Sequence, residues 1–420
     1  MTSLQMETAT RTASLKIEKA ALIGRKGYWS ITLQNGFITE VAPVIAASAQ
    51  QTINAKGSLV IPGLVDPHLH LDKALLLEQH PAQSGDFQEA LEETFNLKRN
   101  FTIEDIQTRA RKVLESEIAF GTTAIRGHVE VDPVLKLTSM KALLPLKQEY
   151  VWGMTLQLAV FAQEGITNQP GTEAMLREAM AMGGDVIGSA PYTDTDPERN
   201  IRIVFDIAQA FDCDVDFHLD FLDDDAPLLL PVVARETIQR GWQNRVCLGH
   251  MTRLAGLSPT DLTNAGRLLS EAGISVLALP SSDLYMMARK DSHNIRRGVA
   301  PIQRLIELGV NGAIATNNIQ NLFTPFGDGD PLKICTLIAQ TLQLGTVAGH
   351  RQCLEMVTVR AARAIGIHTM GIAPGKVADL VILEARSASE AIGAASPGRT
   401  TIKQGRIVSE TTVQRTLKPA

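Results

Sequence analysis

Two histidines separated by one residue, His68 and His70, close an apolar run. On a β-strand, positions i and i+2 face the same side, so both imidazoles can reach one point. Two further histidines, His218 and His250, end two later apolar runs. Imidazole is a common ligand for zinc, iron and similar metals, and a catalytic site combines few protein ligands with an open position. A hydrogen-bonded core residue explains any one of these histidines, but four of them at three strand ends indicate a metal site.

The elements that would position these histidines recur along the middle of the chain. Apolar, β-branched runs alternate there with helix-like stretches, several of which start after Pro, Thr or Asp or end in Gly. This alternation predicts an α/β fold, a (β/α)8 TIM barrel, with its chemistry at the carboxyl ends of the strands. A doubly wound open sheet is the competing architecture, but it usually carries an early Gly-rich phosphate loop, which is missing here. The predicted strand runs are 59–72, 122–132, 153–162, 185–192, 214–221, 245–251, 274–280 and 312–318.

The residue pattern at both ends of the chain differs from that of the middle. Residues 14 to about 62 read as short strands, with a hairpin signal at Asn35-Gly36. Residues 375–385 and 400–410 repeat this β-rich pattern. We therefore predict that 1–62 and 371–420 form one small β-sandwich domain and that 63–370 form the barrel.

Composition excludes several classes of protein. The chain has 420 residues, 45% of them hydrophobic and 20% charged, which is typical of a globular protein and excludes disorder, collagen and coiled coil. A net charge of −5 without a basic tract argues against nucleic-acid binding. No apolar run is long enough to span a membrane, the first twenty residues lack a secretory signal, and the four cysteines form no C-x-x-C pair. We expect a cytoplasmic, homo-oligomeric protein that takes a small-molecule substrate.

Several motifs together resemble the amidohydrolase superfamily, in particular its cytosine deaminase-like branch, which includes N-isopropylammelide amidohydrolases. The H-x-H pair alone is a weak signal, but the pair followed in order by two histidines and a C-terminal GKxADLVIL is a strong one. The resemblance covers nearly the whole chain. Its motifs are VIPGLVDPHLHLDKALL, GHVEVD, FAQEGI, FHLDFLDDD, LGHMTR, RRGV, NNIQNLFTPFGDGD and GKVADLVIL.

The resemblance implies a role for each matching residue. His68, His70 and His218 would bind one divalent metal, which could be zinc, iron or manganese. His250 would hydrogen-bond the metal-bound water or the leaving group, and Gln163 would recognise the polar edge of a pyrimidine-like ring. A divalent metal lowers the pKa of water to about 7 and so supplies hydroxide at neutral pH. That hydroxide would attack an sp² carbon that bears a leaving amine.

The sequence departs from the family pattern at two positions. Asn317 stands where the family has an Asp that binds the metal and shuttles a proton. An amide cannot act as a general base, although its carbonyl oxygen can still be a metal ligand. The neighbouring Asn318 is also an amide, so a shift in register does not restore the carboxylate. Phe221 stands where cytosine deaminases carry a catalytic Glu, which argues against cytosine as the substrate.

Three explanations of these departures stay open. The acid–base chemistry is relocated, the protein is a weak or catalytically silent metal-binding relative, or the Asn is an engineered change. We favour the first explanation, with Asp220, two residues after His218, as the replacement carboxylate assisted by His250. The acidic run 223–225 is more typical of a solvated helix start.

Two more carboxylates are candidates for substrate contact: Asp72, which follows the H-x-H pair, and Asp283, which follows the seventh run. The fourth run offers no Lys that could bridge two metals, which favours a single ion. We therefore predict a metal-dependent hydrolase that cleaves a C–N bond of a small, heterocyclic nitrogen compound by deamination or amine release. The alternatives are a hydrolase that opens a cyclic amide and a silent binding protein.

Overall fold

The computed structural model describes residues 13–221 and 226–418. Two of the sequence predictions concern residues outside these ranges. They are the solvated helix start at 223–225 and, for most of its length, the N-terminal stretch of twenty residues in which no secretory signal is expected. Five strands precede the barrel in the described part of the chain. They are β1 (Ala13–Leu22), β2 (Trp29–Gln34), β3 (Phe37–Ala42), β4 (Ala49–Asn54) and β5 (Leu59–Pro62).

Eight parallel strands form the central sheet, in which each strand pairs with its neighbour in sequence. Every predicted run overlaps one of them, so the predicted (β/α)8 barrel is confirmed. Most positions in these strands are buried, as is typical of parallel sheets covered by helices. The strands are β6 (Leu64–His70), β7 (Thr122–Glu130), β8 (Thr155–Ala162), β9 (Val186–Ser189), β10 (Asp214–Leu219), β11 (Val246–His250), β12 (Ser275–Ala278) and β13 (Asn311–Ile314).

Helices surround this barrel, and side-chain caps start many of them. Asp86, Thr102, Asp196, Ser258 and Asp330 each accept a backbone N–H of the first turn. No helix in the described ranges is long and apolar enough to cross a membrane. The helices are α1 (Phe87–Lys98), α2 (Ile103–Ala119), α3 (Thr138–Glu149), α4 (Thr172–Gly183), α5 (Pro197–Phe211), α6 (Leu230–Arg240), α7 (Pro259–Glu271), α8 (Pro280–Met286), α9 (Ile302–Glu307), α10 (Pro331–Thr341), α11 (Val347–Met356), α12 (Val359–Ala364) and α13 (Ala388–Ala394).

The two ends of the chain meet in a second, mixed sheet, as predicted. The C-terminal strands β14 (Leu380–Leu383), β15 (Arg399–Lys403) and β16 (Arg406–Thr411) join β1–β5, and β14 pairs with β5. Apolar side chains from both ends form its core, among them Leu15, Ile31, Val60 and Leu380. The domain boundaries at 62/63 and 370/371 stay a prediction.

Gly63 lies between β5, a strand of this sheet, and β6, the first strand of the barrel. A Cβ at this position would lie 2.3 Å from Thr123 Oγ1, so a side chain does not fit unless Thr123 or the backbone shifts. Only one residue therefore connects the small sheet to the strand that carries the H-x-H pair.

Backbone hydrogen bonds close the barrel between its first strand and the segment after its last strand. The N–H of His70 donates to the carbonyl of Asn317 over 2.8 Å, and the N–H of Asn317 donates to the carbonyl of His68 over 2.9 Å. The Asp66 carboxylate accepts the N–H groups of His68 and Thr316 on the same two segments. This closure fixes Asn317 beside both histidines.

A buried ion pair joins the C-terminal strands to the barrel. Arg399 binds Asp330 through both guanidinium Nη atoms, over 2.8 and 2.6 Å, and also donates to the carbonyl of Phe120. We expect Arg399→Met to lower the free energy of unfolding by about 3–5 kcal/mol, because it leaves the Asp330 carboxylate buried and unpaired. Urea denaturation measures this change.

Arg406→Met is the matched control for this prediction, because Arg406 is exposed on the next strand. It should shift the free energy of unfolding by less than about 0.5 kcal/mol. Equal losses in the two variants would contradict the assignment of the Arg399–Asp330 pair as the joint between the sheet and the barrel.

Candidate metal and active site

The predicted site residues gather at the carboxyl ends of the barrel strands. His68 and His70 lie on β6, His218 on β10 and His250 at the end of β11, and Asn317 follows β13 by three residues. They surround a narrow cleft whose free space, including the part open to solvent, is about 340 Å³. The described residues that line this cleft are His70, Lys73, Phe87, Gln163, Tyr192, His218, Phe221, His250, Met286, Asn317, Asn318 and Phe323.

Three imidazoles converge on one point. His218 Nε2 lies 3.1 Å from His68 Nε2 and 3.0 Å from His70 Nε2. Two nitrogen ligands that are each about 2.0–2.1 Å from one zinc ion, and about 90–110° apart, are separated by about 2.8–3.4 Å. The Nδ1 atoms of all three rings have no hydrogen-bond partner among the described residues. The arrangement therefore fits one bound ion.

The electrostatic environment keeps these rings unprotonated. Burial, reinforced by the charge of His128, lowers the pKa of His68 to about 3. Burial likewise holds the pKa of His70 and of His218 well below the usual range, with a further contribution from Lys73 at His70 and from His68 at His218. A metal requires neutral imidazoles as ligands, and burial favours this neutral form before a metal binds.

A carboxylate lies behind the converging rings. Asp216 Oδ1 is 3.6 Å from His68 Nδ1 and 3.4 Å from His128 Nε2, and its Oδ2 accepts from Arg126 over 2.9 Å. Burial alone would raise the pKa of Asp216, but His128, His68 and Arg126 hold it well below the usual range. A carboxylate beside the distal nitrogen of a ligating histidine fixes the orientation of the ring and raises its basicity.

His128, on β7, lies in direct contact with the converging rings. Its ring centroid is 3.8 Å from that of His68. Ligand atoms of His68, His70 and His128 lie within 4.8 Å of one another. His128 is thus a further candidate ligand. The remaining histidines, His80, His293, His350 and His368, do not line the cleft.

Asn317 presents its amide oxygen without a partner. Its Nδ2 donates to Ser282 Oγ over 2.7 Å, and that hydroxyl also contacts Thr324 Oγ1 over 2.5 Å. Its Oδ1 is buried and has no hydrogen-bond partner in the described part of the chain. Such an orphaned acceptor costs stability unless a ligand or ion satisfies it. The predicted role of Asn317 as a neutral metal ligand is compatible with this orientation.

His250 and Asp283 form a hydrogen-bonded pair. His250 Nδ1 lies 2.7 Å from Asp283 Oδ1, and Asp283 Oδ2 accepts the backbone N–H of Leu279. His250 has a φ of +71°, in the left-handed region, which breaks the strand at this residue. Its Nε2 remains as the nitrogen available to a ligand in the cleft. Asp283, predicted as a substrate contact, thus acts on His250 and is absent from the cleft lining.

Asp220 does not have the position expected of a replacement general base. Its two carboxylate oxygens accept the backbone N–H groups of Leu229 and Leu230 at the start of α6, over 2.9 and 3.1 Å. It does not line the cleft. Its φ of +46° shows that the chain turns here, so the alternation that would have aimed it beside His218 no longer holds. The geometry thus favours a helix cap over a catalytic carboxylate.

The two other predicted substrate residues differ in their placement. Gln163 lines the cleft beside Tyr192. Asp72 does not line it: one carboxylate oxygen accepts the backbone N–H of Glu130 over 2.9 Å, and its carbonyl accepts from Arg109. Asp72 therefore positions the loop after β6.

Aromatic residues that the sequence did not predict complete the cleft. Phe221 lies with its ring centroid 4.1 Å from that of His250, and Phe87 packs against Phe221. Tyr192 ends a predicted strand run, so its position at a strand end was a usable signal. Phe87 begins α1 and Phe323 lies in the loop after β13, and no spacing in the sequence marks them.

A second group of acidic residues lies next to the cleft but holds an internal cation. Glu130, Asp132 and Glu164 have ligand oxygens within 4.8 Å of one another, as in a metal site. The Lys98 ammonium lies among them and hydrogen-bonds all three. A lysine therefore occupies the point where a second ion would bind.

Comparison with known proteins gives this geometry a family. The model of the amidohydrolase family matches residues 84–409, which is more than half of the chain. This chain belongs to the amidohydrolase family. As an amidohydrolase it is an enzyme that hydrolyses C–N bonds, and members of the family typically use a divalent metal.

Among the relatives of this amidohydrolase is the N-isopropylammelide isopropyl amidohydrolase of Pseudomonas sp. (strain ADP), which is 29% identical over 94% of this chain and 96% of its own length. The pterin deaminase of Rhizobium rhizogenes is 27% identical over 90% and 87% of the two chains. The solved structure of the 5-methylcytosine deaminase of Klebsiella pneumoniae with 5-fluorocytosine has a TM-score of 0.90, at 30% identity over 96% and 99% of the two chains.

We expect the purified amidohydrolase to hold about one equivalent of a transition metal and His218→Ala to hold far less, because His218 Nε2 contacts both other converging nitrogens. Inductively coupled plasma mass spectrometry measures the content. The exposed His80 provides the control, since His80→Ala should bind as much metal as the parent. A parent protein without stoichiometric metal, or equal content in both variants, would refute the proposed ligand set.

Proposed function

We propose that this protein hydrolyses the exocyclic C–N bond of a planar nitrogen heterocycle and releases ammonia or a substituted amine. One observation carries the proposal: the imidazoles of His68, His70 and His218 converge on one point beside the cleft. His70 and His218 line this cleft together with His250, which is paired with Asp283. The first group fits a metal, and the second provides a proton carrier. The described residues that line the cleft include no carboxylate that could take this second role.

The metal would be held by His68, His70 and His218, with Asn317 as a neutral neighbour. When bound, it supplies the nucleophile by lowering the pKa of water to about 7. His250 Nε2 then accepts a proton released as the C–O bond forms and delivers it to the leaving nitrogen. The amine therefore departs as a neutral molecule, and His250 is ready for another cycle.

Asp283 makes His250 suited to this transfer. The hydrogen bond from Nδ1 to a buried carboxylate fixes the tautomer that leaves Nε2 free to accept, and it stabilises the imidazolium that forms. Burial raises the pKa of Asp283, while the charge of His250 opposes this rise. The pair replaces the two carboxylates that the resemblance leads one to expect at positions 221 and 317.

The walls of the cleft favour a flat ring. Phe87, Phe221 and Phe323 provide aromatic faces, and Met286 adds a pliable apolar contact. Gln163 provides an amide that can pair with a ring edge carrying both donors and acceptors. The relatives named for N-isopropylammelide, pterin and 5-methylcytosine all act on such rings, which supports the same substrate class here.

Further properties belong to the same proposal. Zinc, iron and manganese are all compatible with the His-rich ligand set, and metal availability selects among them. The free, buried cysteines Cys213, Cys247, Cys335 and Cys353 suit a reducing cytoplasm. A homo-oligomer stays part of the proposal and is tested by analytical ultracentrifugation.

A heterocycle panel tests the activity. The protein reconstituted separately with zinc, iron(II) or manganese should release ammonia or isopropylamine from at least one of cytosine, 5-methylcytosine, pterin and N-isopropylammelide. Mass spectrometry of the product separates the alternatives, because opening of a cyclic amide adds water without loss of an amine. Metal-loaded protein that releases no amine from any compound would support a silent binding protein.

His250→Gln tests the proton carrier on the best substrate of that panel. We expect kcat to fall by about 10²–10⁴-fold with metal content unchanged, because the variant keeps a polar side chain but cannot carry a proton at working pH. Stopped assays of amine release measure this loss. His80→Gln is the control and should keep the parent value. A loss of less than about tenfold would show that another group carries the proton.

The variant Asp220→Asn distinguishes a helix-capping role of Asp220 from a catalytic role. We expect the free energy of unfolding to fall by about 0.5–2 kcal/mol, because an amide cannot accept from both Leu229 and Leu230, while kcat stays within about threefold of the parent. Thermal denaturation and steady-state kinetics measure the two quantities. Should kcat drop a hundredfold in a protein of unchanged stability, Asp220 is the catalytic carboxylate after all.

A further inference from the structure

Lys73 is a buried cation in the wall of the cleft. It lies three residues after His70, its side chain is 2% exposed, and it is one of the residues that line the cleft. Its ammonium lies 2.7 Å from Glu130 Oε2. It also lies 5.3 and 5.4 Å from the ring centroids of Phe161 and Phe323.

An alternating network of charges keeps Lys73 in this position. Glu130 is shared between Lys73 and Lys98, and Lys98 also binds Asp132 and Glu164. Burial alone would raise the pKa of Glu130, but the two lysines hold it at about 2. Glu130 is therefore an anion at every working pH, and it anchors an ammonium that would otherwise be costly to bury.

The ammonium of Lys73 has N–H donors that the described residues leave unused. It can donate three hydrogen bonds, and Glu130 is the one hydrogen-bond acceptor for Nζ among the described residues. Its other neighbours named above are aromatic rings, which attract a cation more weakly than an oxygen does. A hydrophobic side chain would fill the same volume without this desolvation cost. The spare donors thus point to a ligand in the cleft.

The charge of the cleft defines that ligand further. Among the described lining residues, Lys73 is the one with a permanent charge, and none is acidic. Positions 221 and 317 contribute a phenyl ring and an amide. Lys73 lowers the pKa of His70, so its field reaches the converging imidazoles. A ring with negative charge on an oxygen would be attracted both by this ammonium and by a cation bound at the imidazoles.

We propose that Lys73 is a specificity residue that binds an oxygen of an anionic oxo-heterocycle, so that the substrate is an amine-bearing ring with an acidic oxo–N–H edge. This inference rests on the proposed function. Gln163 and Tyr192 lie in the same cleft and add neutral donors and acceptors for the same edge. Rings without an ionisable oxo group lack the partner for the ammonium and bind weakly.

Calorimetric binding to the metal-loaded protein tests the proposal with two flat pyrimidine rings. Barbituric acid is an anion at neutral pH, whereas uracil is neutral. The parent should bind barbiturate at least tenfold more tightly than uracil at pH 7, a comparison that requires no variant. Equal affinity, or no binding of barbiturate, would overturn the role of Lys73 but leave amine release on the panel above as an independent test of the proposed function.

The variant Lys73→Met provides a second test of the role of Lys73. It keeps the aliphatic stem, and Glu130 keeps Lys98 as its partner, so no buried carboxylate is left alone. The affinity for barbiturate should fall by about 10–100-fold, and that for uracil should stay within about threefold. The exposed Lys290 gives the matched control, Lys290→Met, which should change neither affinity. Equal losses for both rings would show that Lys73 only shapes the cleft.

Discussion

The closure of the barrel between β6 and the segment after β13 is the constraint on which the site depends. Asn317 exchanges two backbone hydrogen bonds with His68 and His70, so the first and last strand ends are fixed against each other. The two histidines share a face of β6, and this pairing places Asn317 beside them whatever its side chain is. Position 317 can therefore lose a carboxylate without loss of the architecture. The backbone, and not the Asn side chain, holds this part of the site together.

The buried carboxylate behind the converging imidazoles also organises the site. Asp216, anchored by Arg126, lies behind His68 and His128, and burial keeps the rings neutral. Three imidazole Nε2 atoms that face one another need a shared partner, and an ion bound between them provides it, so metal binding stabilises this arrangement. The same low dielectric strengthens the His250–Asp283 pair. Burial therefore prepares both halves of the proposed chemistry, ligation and proton transfer.

Sequence reasoning succeeded where one strand determines the result. The eight runs and the strand-end positions of His68, His70, His218 and His250 follow from alternation and from the rule that parallel strands place their carboxyl ends together. Contacts that depend on how the chain turns after a strand could not be predicted from the sequence. Asp220 has a positive φ and its carboxylate meets the start of α6, and no local pattern predicts that meeting. Phe87 reaches the cleft from the start of α1 and Phe323 from a loop, and both positions depend on packing between distant segments.

The loss of acidic groups at 221 and 317 and the presence of Lys73 have one physical consequence in common. Each change makes the described wall of the cleft less negative, and together they leave it with a cation and no anion. A carboxylate at 221 or 317 would neutralise Lys73 across a narrow space and would repel an anionic ring. With neutral groups there, the field of Lys73 acts on the ligand, and in the proposed mechanism proton transfer passes to His250, whose own carboxylate Asp283 lies outside the cleft lining. The proposed relocation of the acid–base group and the proposed preference for an anionic ring thus follow from the same redistribution of charge.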